Sequence, residues 1–324
     1  MLVITTKHGS RGKPTIAVGN TTSWETISYM PKVQTRFGSY GGEGFATFPD
    51  GTVGYVPYEN QSYGPPYDGS LVPLGYGVPE RNPDGTVNLD KLDTNFVRYS
   101  PVKNNIRDFF NTGLTNQANV SFSSGDERGT FYMGFQDVKK TGVVPNDRSR
   151  RDNFRVGGSR TYGRFRAEYT ASFNQSSVDI AGLSYNQTNG GVFSGRPLYF
   201  EVLNNPAHVP LTSFKDWRNN MFADPNGYFD AYATNPYWTI DNSRRKTNTY
   251  DLLGNLNLSF RVTDWLTLSD RLGVTQSTFN RKYTRAGINF APWAIADPWG
   301  AGNVPSSQGY LAPSEYDESF SNSD

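Results

Sequence analysis

The sequence predicts an all-β fold in which antiparallel strands are joined by turns and long loops, and three observations support this. Aromatic residues make up 15% of the 324 residues, whereas hydrophobic residues make up only 35%, and Tyr, Phe, Trp and Thr favour strands over helices. Several stretches alternate apolar and polar residues with a period of two, which is typical of strands with two different faces. No apolar run approaches the ~18 residues of a membrane-spanning helix.

The alternation predicts seven strands. In one of them, Phe165 and Phe173 lie on one face, and Arg166 and Glu168 lie on the opposite face. In the last strand, Asp270 falls on the otherwise apolar face, and a β-bulge there would change the phase of the alternation. The predicted strands are residues 15–24, 117–123, 130–139, 152–159, 164–174, 249–261 and 266–278.

The connections between these strands are very unequal in length. The short ones are residues 124–129, 160–163 and 262–265, and the longer ones are 25–116, 140–151, 176–248 and 279–324. In an up-and-down sheet, every short turn would then lie at one edge and every longer loop at the other. Structureless loops of this length are rare in compact soluble domains, whereas outer-membrane barrels have short turns on one side and long external loops on the other. The chain end, residues 319–324, is expected to lie in the last loop.

The apolar face is expected to meet lipid. Tyr250 and Phe260 bracket one apolar face and are separated by ten steps of ~3.3 Å, or about 33 Å along the strand. A tilt near 40° reduces this length to roughly 25 Å, the height of the apolar band of an outer-membrane barrel. Arg164, Arg166 and Glu168 on the opposite face would be costly in a dry core and are compatible with a watery interior. We therefore predict a partial transmembrane antiparallel β-barrel, and a soluble β-sandwich with one wet face is the alternative.

The sequence is expected to be a fragment of a longer protein. Seven strands are too few to close a barrel of this kind, and an open edge in lipid would leave backbone groups unpaired. The first residues also lack the basic, apolar and small-residue segments of a signal peptide, which an outer-membrane protein needs for export.

Five short runs, in this order and at this spacing, resemble the SusC/RagA-type TonB-dependent transporters. The first run resembles the "ITTKxG" strand that ends the plug domain of that family, and the second is similar to its "FFxTG" segment. The resemblance spans about residues 2–275. The runs are residues 3–9 (VITTKHG), 108–113 (DFFNTG), 142–146 (GVVPN), 235–238 (NPYW) and 264–266 (DWL).

The resemblance implies a fold, a location and partners. The family forms barrels of about 22 strands closed by an N-terminal plug, in line with the large plugged barrels of outer membranes. Residues 1–12 would be the last plug strand and a linker, and residues 13–324 the incomplete N-terminal part of the barrel. The implied function is import of glycans or peptides across the outer membrane of a Gram-negative bacterium. The implied partners are outer-membrane lipid, a SusD-like surface lipoprotein, the oligosaccharide or peptide substrate, and the TonB complex, which would bind through the missing N-terminal part.

Ligand or partner contacts are expected in the long loops, which carry aromatic rings beside polar residues. Flat rings stack on sugars and anchor protein partners, although rings in loops also serve simply to pack the loops together. The candidate contact residues are Tyr55, Tyr58, Tyr63, Trp217, Tyr237 and Trp238.

Other functions have less support. The chain has no Cys, and its two histidines, His8 and His208, are far apart and are interpreted as surface or loop residues. No catalytic, cofactor or metal site is predicted, and a net charge of +1 gives no reason to expect nucleic-acid binding. A soluble secreted β-rich module that binds glycans through the same loops is the main alternative. A glycosidase ranks last, because it would need two positioned carboxylates, and nothing in the sequence pairs the acidic residues.

Overall fold

The computed structural model describes residues 12–39, 54–181, 198–230, 232–296, 311–312 and 315–323. The last plug strand predicted in residues 1–12 therefore lies almost wholly outside the described residues, and the domain boundary stays a prediction. The strands are β1 (Gly12–Glu25), β2 (Leu71–Arg81), β3 (Val87–Arg98), β4 (Gly113–Gly125), β5 (Gly129–Thr141), β6 (Arg148–Tyr162), β7 (Phe165–Ala181), β8 (Ser243–Arg261), β9 (Thr267–Arg285), β10 (Ile288–Asn289), β11 (Leu311–Ala312) and β12 (Glu315–Ser323). The helices are α1 (Leu198–Leu203), α2 (Pro236–Asn242) and α3 (Pro292–Ala296), with 3-10 turns at Arg107–Phe109 and Leu211–Phe214.

Eight of these strands form one large antiparallel sheet in the order β1-β4-β5-β6-β7-β8-β9-β12. The all-β prediction is confirmed, and the seven predicted strands are the first seven of this sheet. β1 and β12 are its edges, and the described residues do not join them into a closed barrel. Pairing is in continuous register from β4 to β12, as expected where alternation assigns every residue to one face.

Two parts of the sheet structure were not predicted. β2 and β3 form a separate hairpin inside the first long connection. The prediction that residues 319–324 lie in a loop was wrong, because residues 319–323 belong to β12, which pairs with β9. Asp270 causes no bulge, since it pairs directly with Leu258 in the unbroken register of β8 and β9 and remains exposed.

The apolar face of the large sheet is open. Phe135, Phe154 and Phe173 lie side by side on β5, β6 and β7, and they keep 43%, 41% and 41% of their surface exposed. Phe165 and Tyr169 are likewise exposed, and the described residues contain no second sheet of the kind that would cover this face in a sandwich. An apolar surface of this extent marks a site that meets lipid or a partner.

The two ends of the sheet differ as predicted. Tight connections at residues 126–128, 163–164 and 262–266 lie at one end. The turn between β6 and β7 has only two residues and begins with Gly163 at φ +59°, a conformation that glycine adopts at little cost in a hairpin turn. All longer connections lie at the other end. We use the name "loop layer" for the described residues of the connections 26–112, 142–147, 182–242 and 286–314.

The dry core of the molecule lies in the loop layer and not against either face of the sheet. One cluster joins the 3-10 turn at Phe109, Val144 of the β5–β6 loop, Val202 of α1 and Tyr237 of α2. A second cluster joins the β2–β3 hairpin to the connection that precedes α2 through Leu74 and neighbouring buried rings. The described loops are therefore ordered by burial of their own apolar side chains at this end of the sheet.

Candidate functional site

The polar face of the large sheet forms a wall with a cavity of about 590 Å³ near its short-turn end. Strict alternation places these side chains opposite the apolar face, because paired residues on neighbouring strands share a face. The charged and amide side chains that line the cavity are those of Asp126, Glu127, Arg128, Arg155, Arg166, Glu168, Asn255, Asn257 and Arg271.

Glu168 on β7 is one of the carboxylates that line this cavity. Nε of Arg166 donates to its Oε1 at 3.0 Å, and Nδ2 of Asn257 donates to its Oε2 at 3.2 Å. Arg166 and Glu168 are half exposed, so this ion pair contributes little to stability. Within the described ranges, Arg155 and Arg271 have no ion-pair partner, although the carboxylates of Asp126 and Glu127 also line the cavity.

The wall has one further carboxylate on β6 to β9. Asp251 on β8 accepts hydrogen bonds from Nδ2 of Asn174 on β7 at 3.1 Å and from Oγ of Ser277 on β9 at 2.7 Å. These bonds tie three strands together and use neutral donors. Asp251 thus leaves the neighbouring arginines unpaired.

Arg244 joins the end of the sheet to the loop layer. Its Nε lies 3.0 Å from Oδ1 of Asp179 on β7, and its Nη1 lies 3.4 Å from Oδ1 of Asp147 in the β5–β6 loop. It also donates to the carbonyl oxygens of Ile240 and Asn146, each at 2.9 Å. Burial raises the pKa of the Asp147 carboxyl, and the adjacent Arg244 opposes that effect. One side chain thereby fixes a strand, a loop and α2 relative to each other.

A ring cluster in the loop layer surrounds His208. Tyr99 lies 5.2 Å from the imidazole and 4.8 Å from Tyr67, measured between ring centroids, and the hydroxyl of Tyr55 lies 3.4 Å from Nε2 of His208. His208 is only 1% exposed, and this burial lowers its pKa to about 4. Burial raises the pKa of Tyr67 to about 12. The interpretation of His208 as a surface or loop histidine is right about the loop, but the ring is buried and neutral.

The six predicted contact residues all lie in the loop layer but do not form one site. Tyr63 is 81% exposed, and Tyr58, Tyr237 and Trp238 are buried. Tyr55 is half-buried in the His208 cluster.

The remaining residue, Trp217, is half-buried. Its Nε1 donates to Asp241 at 2.9 Å, and its ring lies 4.3 Å from the Arg218 guanidinium carbon. In this structure five of the six rings order the loops. A direct contact of any of the six with a ligand or partner stays a prediction.

The unpaired arginines of the polar wall were not singled out by sequence reasoning. Their signal was present, because the same alternation that marks Phe154 and Phe165 as apolar positions puts Arg155 and Arg166 on the opposite face. Among the described residues, no group of three or more His, Cys, Asp and Glu side chains is arranged to hold a metal ion. The helices in the described part of the chain are all too short or too polar to cross a membrane.

Comparison with known proteins gives likenesses of structure but not of sequence. Neither a protein-family model nor a curated protein sequence matches this chain. The fold is similar to that in the structure of the RagAB peptide importer in the "closed-closed" state, with a TM-score of 0.50 and 14% sequence identity. The match covers 86% of this chain, which spans about 30% of the importer chain.

Proposed function

We propose that this chain is part of a SusC/RagA-type TonB-dependent transporter in the outer membrane of a Gram-negative bacterium. In this proposal, β1, β4 to β9 and β12 form part of the barrel wall, and the apolar face meets lipid. The polar face lines the import path, and the long connections face the outside of the cell. The imported cargo is a glycan or a peptide. The partners are a SusD-like lipoprotein at the loop layer and the TonB complex at the plug.

The observation that carries the proposal is the open apolar face of an otherwise polar sheet. Burying exposed apolar surface is favourable by about 25 cal/mol per Å², so a row such as Phe135, Phe154 and Phe173 disfavours a monomer in water. The opposite face carries Arg155, Arg166 and other polar groups that fit a hydrated interior. A sheet between lipid and water buries its apolar face in lipid and keeps its polar face hydrated.

The asymmetry of the connections supports the same proposal. Every tight turn lies at one end of the sheet, and the ordered loop layer lies at the other. Outer-membrane barrels have this arrangement, with short periplasmic turns and long external loops. A SusD-like partner would then contact the loop layer, whose interior is already packed without it.

The likeness to the RagAB peptide importer supports this fold at 14% identity, and the peptide cargo of that importer is one of the two cargo classes proposed for this chain. The remaining components of the proposal, namely the plug, the TonB complex and the lipoprotein, rest on the resemblance of short sequence runs. The soluble glycan-binding module remains the competing function, and it predicts the opposite environment for the apolar face.

Neighbouring residues on β6 allow a sharp test. The chain has no native Cys, so Phe154→Cys and Asn153→Cys each create a single labelling site, one on each face. Each variant is labelled with a small fluorophore, and the full chain is refolded into phosphatidylcholine vesicles. We expect nitroxide-bearing lipid to quench the label at position 154 and aqueous iodide to quench the label at position 153. Equal quenching of both labels by iodide would contradict the membrane assignment and favour the soluble module.

A further inference from the structure

The polar wall carries arginines from one end of β6–β9 to the other. We use the name "arginine stripe" for Arg151, Arg155, Arg166, Arg245, Arg271 and Arg281, which share the polar face. The two ends of the stripe are Arg166 on β7 and Arg245 on β8, and Arg245 pairs with Ile180 of β7. The fourteen intervening steps of ~3.3 Å give the stripe a length of roughly 46 Å, and four strands ~4.8 Å apart give it a width of about 14 Å.

The stripe has more positive than negative charge. The acidic side chains on the same face of β6–β9 are Glu168 and Asp251. Glu168 pairs with Arg166, whereas Asp251 is held by Asn174 and Ser277. In the part of the chain that the structure describes, Arg151, Arg155, Arg245 and Arg271 have no carboxylate partner.

Two arginines on the opposite face of the sheet, in contrast, form ion pairs. Arg150 on the apolar side lies 3.0 Å from Asp137 and 3.1 Å from Asp152, and Arg148 lies 3.2 Å from Asp179. Arg148 and Arg150 are thus neutralised by nearby carboxylates of the same chain. Four arginines of the polar wall have no such partner among the described residues, and a negatively charged ligand would complement them.

The spacing of the stripe suits an extended peptide. Side chains on one face of a strand recur every two residues, about 6.6 Å apart, and a ligand peptide in extended conformation has the same repeat. Acidic residues at alternate positions of such a peptide would therefore have the same spacing as the side chains of the polar face. Guanidinium groups bind carboxylates in a planar, two-bond geometry and are less strongly hydrated than ammonium groups, so arginine is well suited to bind and release a series of carboxylates.

We infer that the arginine stripe binds acidic peptides in an extended conformation, and that the imported cargo belongs to this class. The inference rests on the proposed function, in which the polar wall lines the import path. Charge complementarity along such a path also raises the rate at which anionic ligands enter it. Arg155 and Arg271 both line the cavity of the polar wall, where side chains of a bound peptide would have room to enter.

The test measures the anisotropy of dye-labelled peptides with the full chain in detergent micelles at low ionic strength. The probes are hexaglutamate, hexaglutamine, hexalysine and, as an acidic sugar, hexagalacturonate. We expect hexaglutamate to bind about ten-fold more tightly than hexaglutamine, and high salt to remove most of the difference. The double variant Arg155→Gln/Arg271→Gln should lose about ten-fold in affinity for hexaglutamate.

The matched control is Arg148→Gln/Arg150→Gln, which removes the same charge from the opposite face and should retain wild-type affinity. If the first double variant does not refold, Arg151→Gln/Arg245→Gln tests the same stripe. Equal binding of hexaglutamine, or equal losses in both double variants, would overturn the inference. Tighter, arginine-dependent binding of hexagalacturonate would overturn the assignment to peptides. The quenching experiment on residues 153 and 154 reports separately on the membrane assignment, so the two failures are distinguishable.

Discussion

Arg244 on β8 and Asp179 on β7 form an ion pair of 3.0 Å at the point where the large sheet meets the loop layer. Their side chains are only 13% and 14% exposed. Arg148 reaches the same carboxylate from β6 at 3.2 Å, but its side chain is 71% exposed. Arg244 and Arg148 thus bind the same carboxylate, but Arg244 is mostly buried and Arg148 is exposed. This difference in exposure predicts that Arg244 contributes more to the stability of the fold.

Replacement of Arg244 by Ala should destabilise the protein by about 3 kcal/mol, because it leaves the poorly solvated Asp147 without its cation and Asp179 with only the exposed Arg148. It also removes donors to the carbonyls of Ile240 and Asn146. The free energy of unfolding in urea is the measurement. Arg148→Ala is the control, and it should cost less than about 1 kcal/mol because an exposed ion pair is worth little. Equal losses in both variants would show that burial does not decide the contribution of this ion pair.

Asn235 is the second residue on which the order of the loop layer depends. It is fully buried, and its Nδ2 donates to the carbonyl oxygens of Phe214 and Ala223 at 2.9 and 2.8 Å. Its Oδ1 accepts from the backbone N–H of Tyr237 and caps the start of α2. Asn235→Ala should cost about 3 kcal/mol, because it removes a cap and leaves buried polar groups unpaired. The melting temperature checks this, and the exposed Asn219→Ala should leave that temperature nearly unchanged.

The large sheet was predictable from sequence because each strand meets two different surroundings. Apolar and polar residues alternate within each strand, as at Phe154 and Arg155, so the strand can be recognised from its own residues alone. β2 lacks that signal, since Pro73 and Pro79 remove backbone donors and are rare inside strands, and Gly75 at φ +71° bends the chain. β12 also lacks it, because it is a polar edge strand.

The candidate site was less predictable than the sheet. An aromatic residue in a loop has the same sequence signature whether it packs or binds. Tyr237 is buried because Phe109, more than a hundred positions earlier, lies 4.9 Å from its ring, and Tyr63 is exposed because no described residue covers its ring. That distinction depends on how distant loops assemble. The arginine stripe, in contrast, follows from strand alternation alone and was missed because sequence reasoning treated the polar face only as compatible with water.

His208 gives the loop layer a predictable response to acid. Its pKa is lowered to about 4 in the folded protein by burial, whereas an exposed imidazole has a pKa near 6.5. The unfolded state therefore binds a proton first as the pH falls, and stability should decrease between about pH 6.5 and pH 4 by up to about 3 kcal/mol. Tyr55, Tyr67 and Tyr99 surround the ring, and burial raises their pKa values, so they do not titrate in this range.

The measurement is the free energy of unfolding as a function of pH for the native protein and for His208→Phe. Burial raises the pKa of Glu59 and Asp147, which acts in the opposite direction, so the difference between the two proteins isolates the histidine. That difference should change by about 3 kcal/mol from pH 6.5 to pH 4. A constant difference across this range would show that His208 is already solvated in the folded state.

The strongest energetic contrast is expected between adjacent residues of β6. Phe154→Arg puts a cation in the middle of the apolar face, which in a membrane barrel costs about 2–4 kcal/mol at the bilayer midplane. Asn153→Arg adds the same charge to the polar wall, where water and neighbouring polar groups solvate it. The refolded fraction in phosphatidylcholine vesicles, titrated with urea, should therefore fall for Phe154→Arg and stay near the native value for Asn153→Arg. If Asn153→Arg were the more damaging change, the polar face would be the dry one, and the two faces of the sheet would have to exchange their assigned environments.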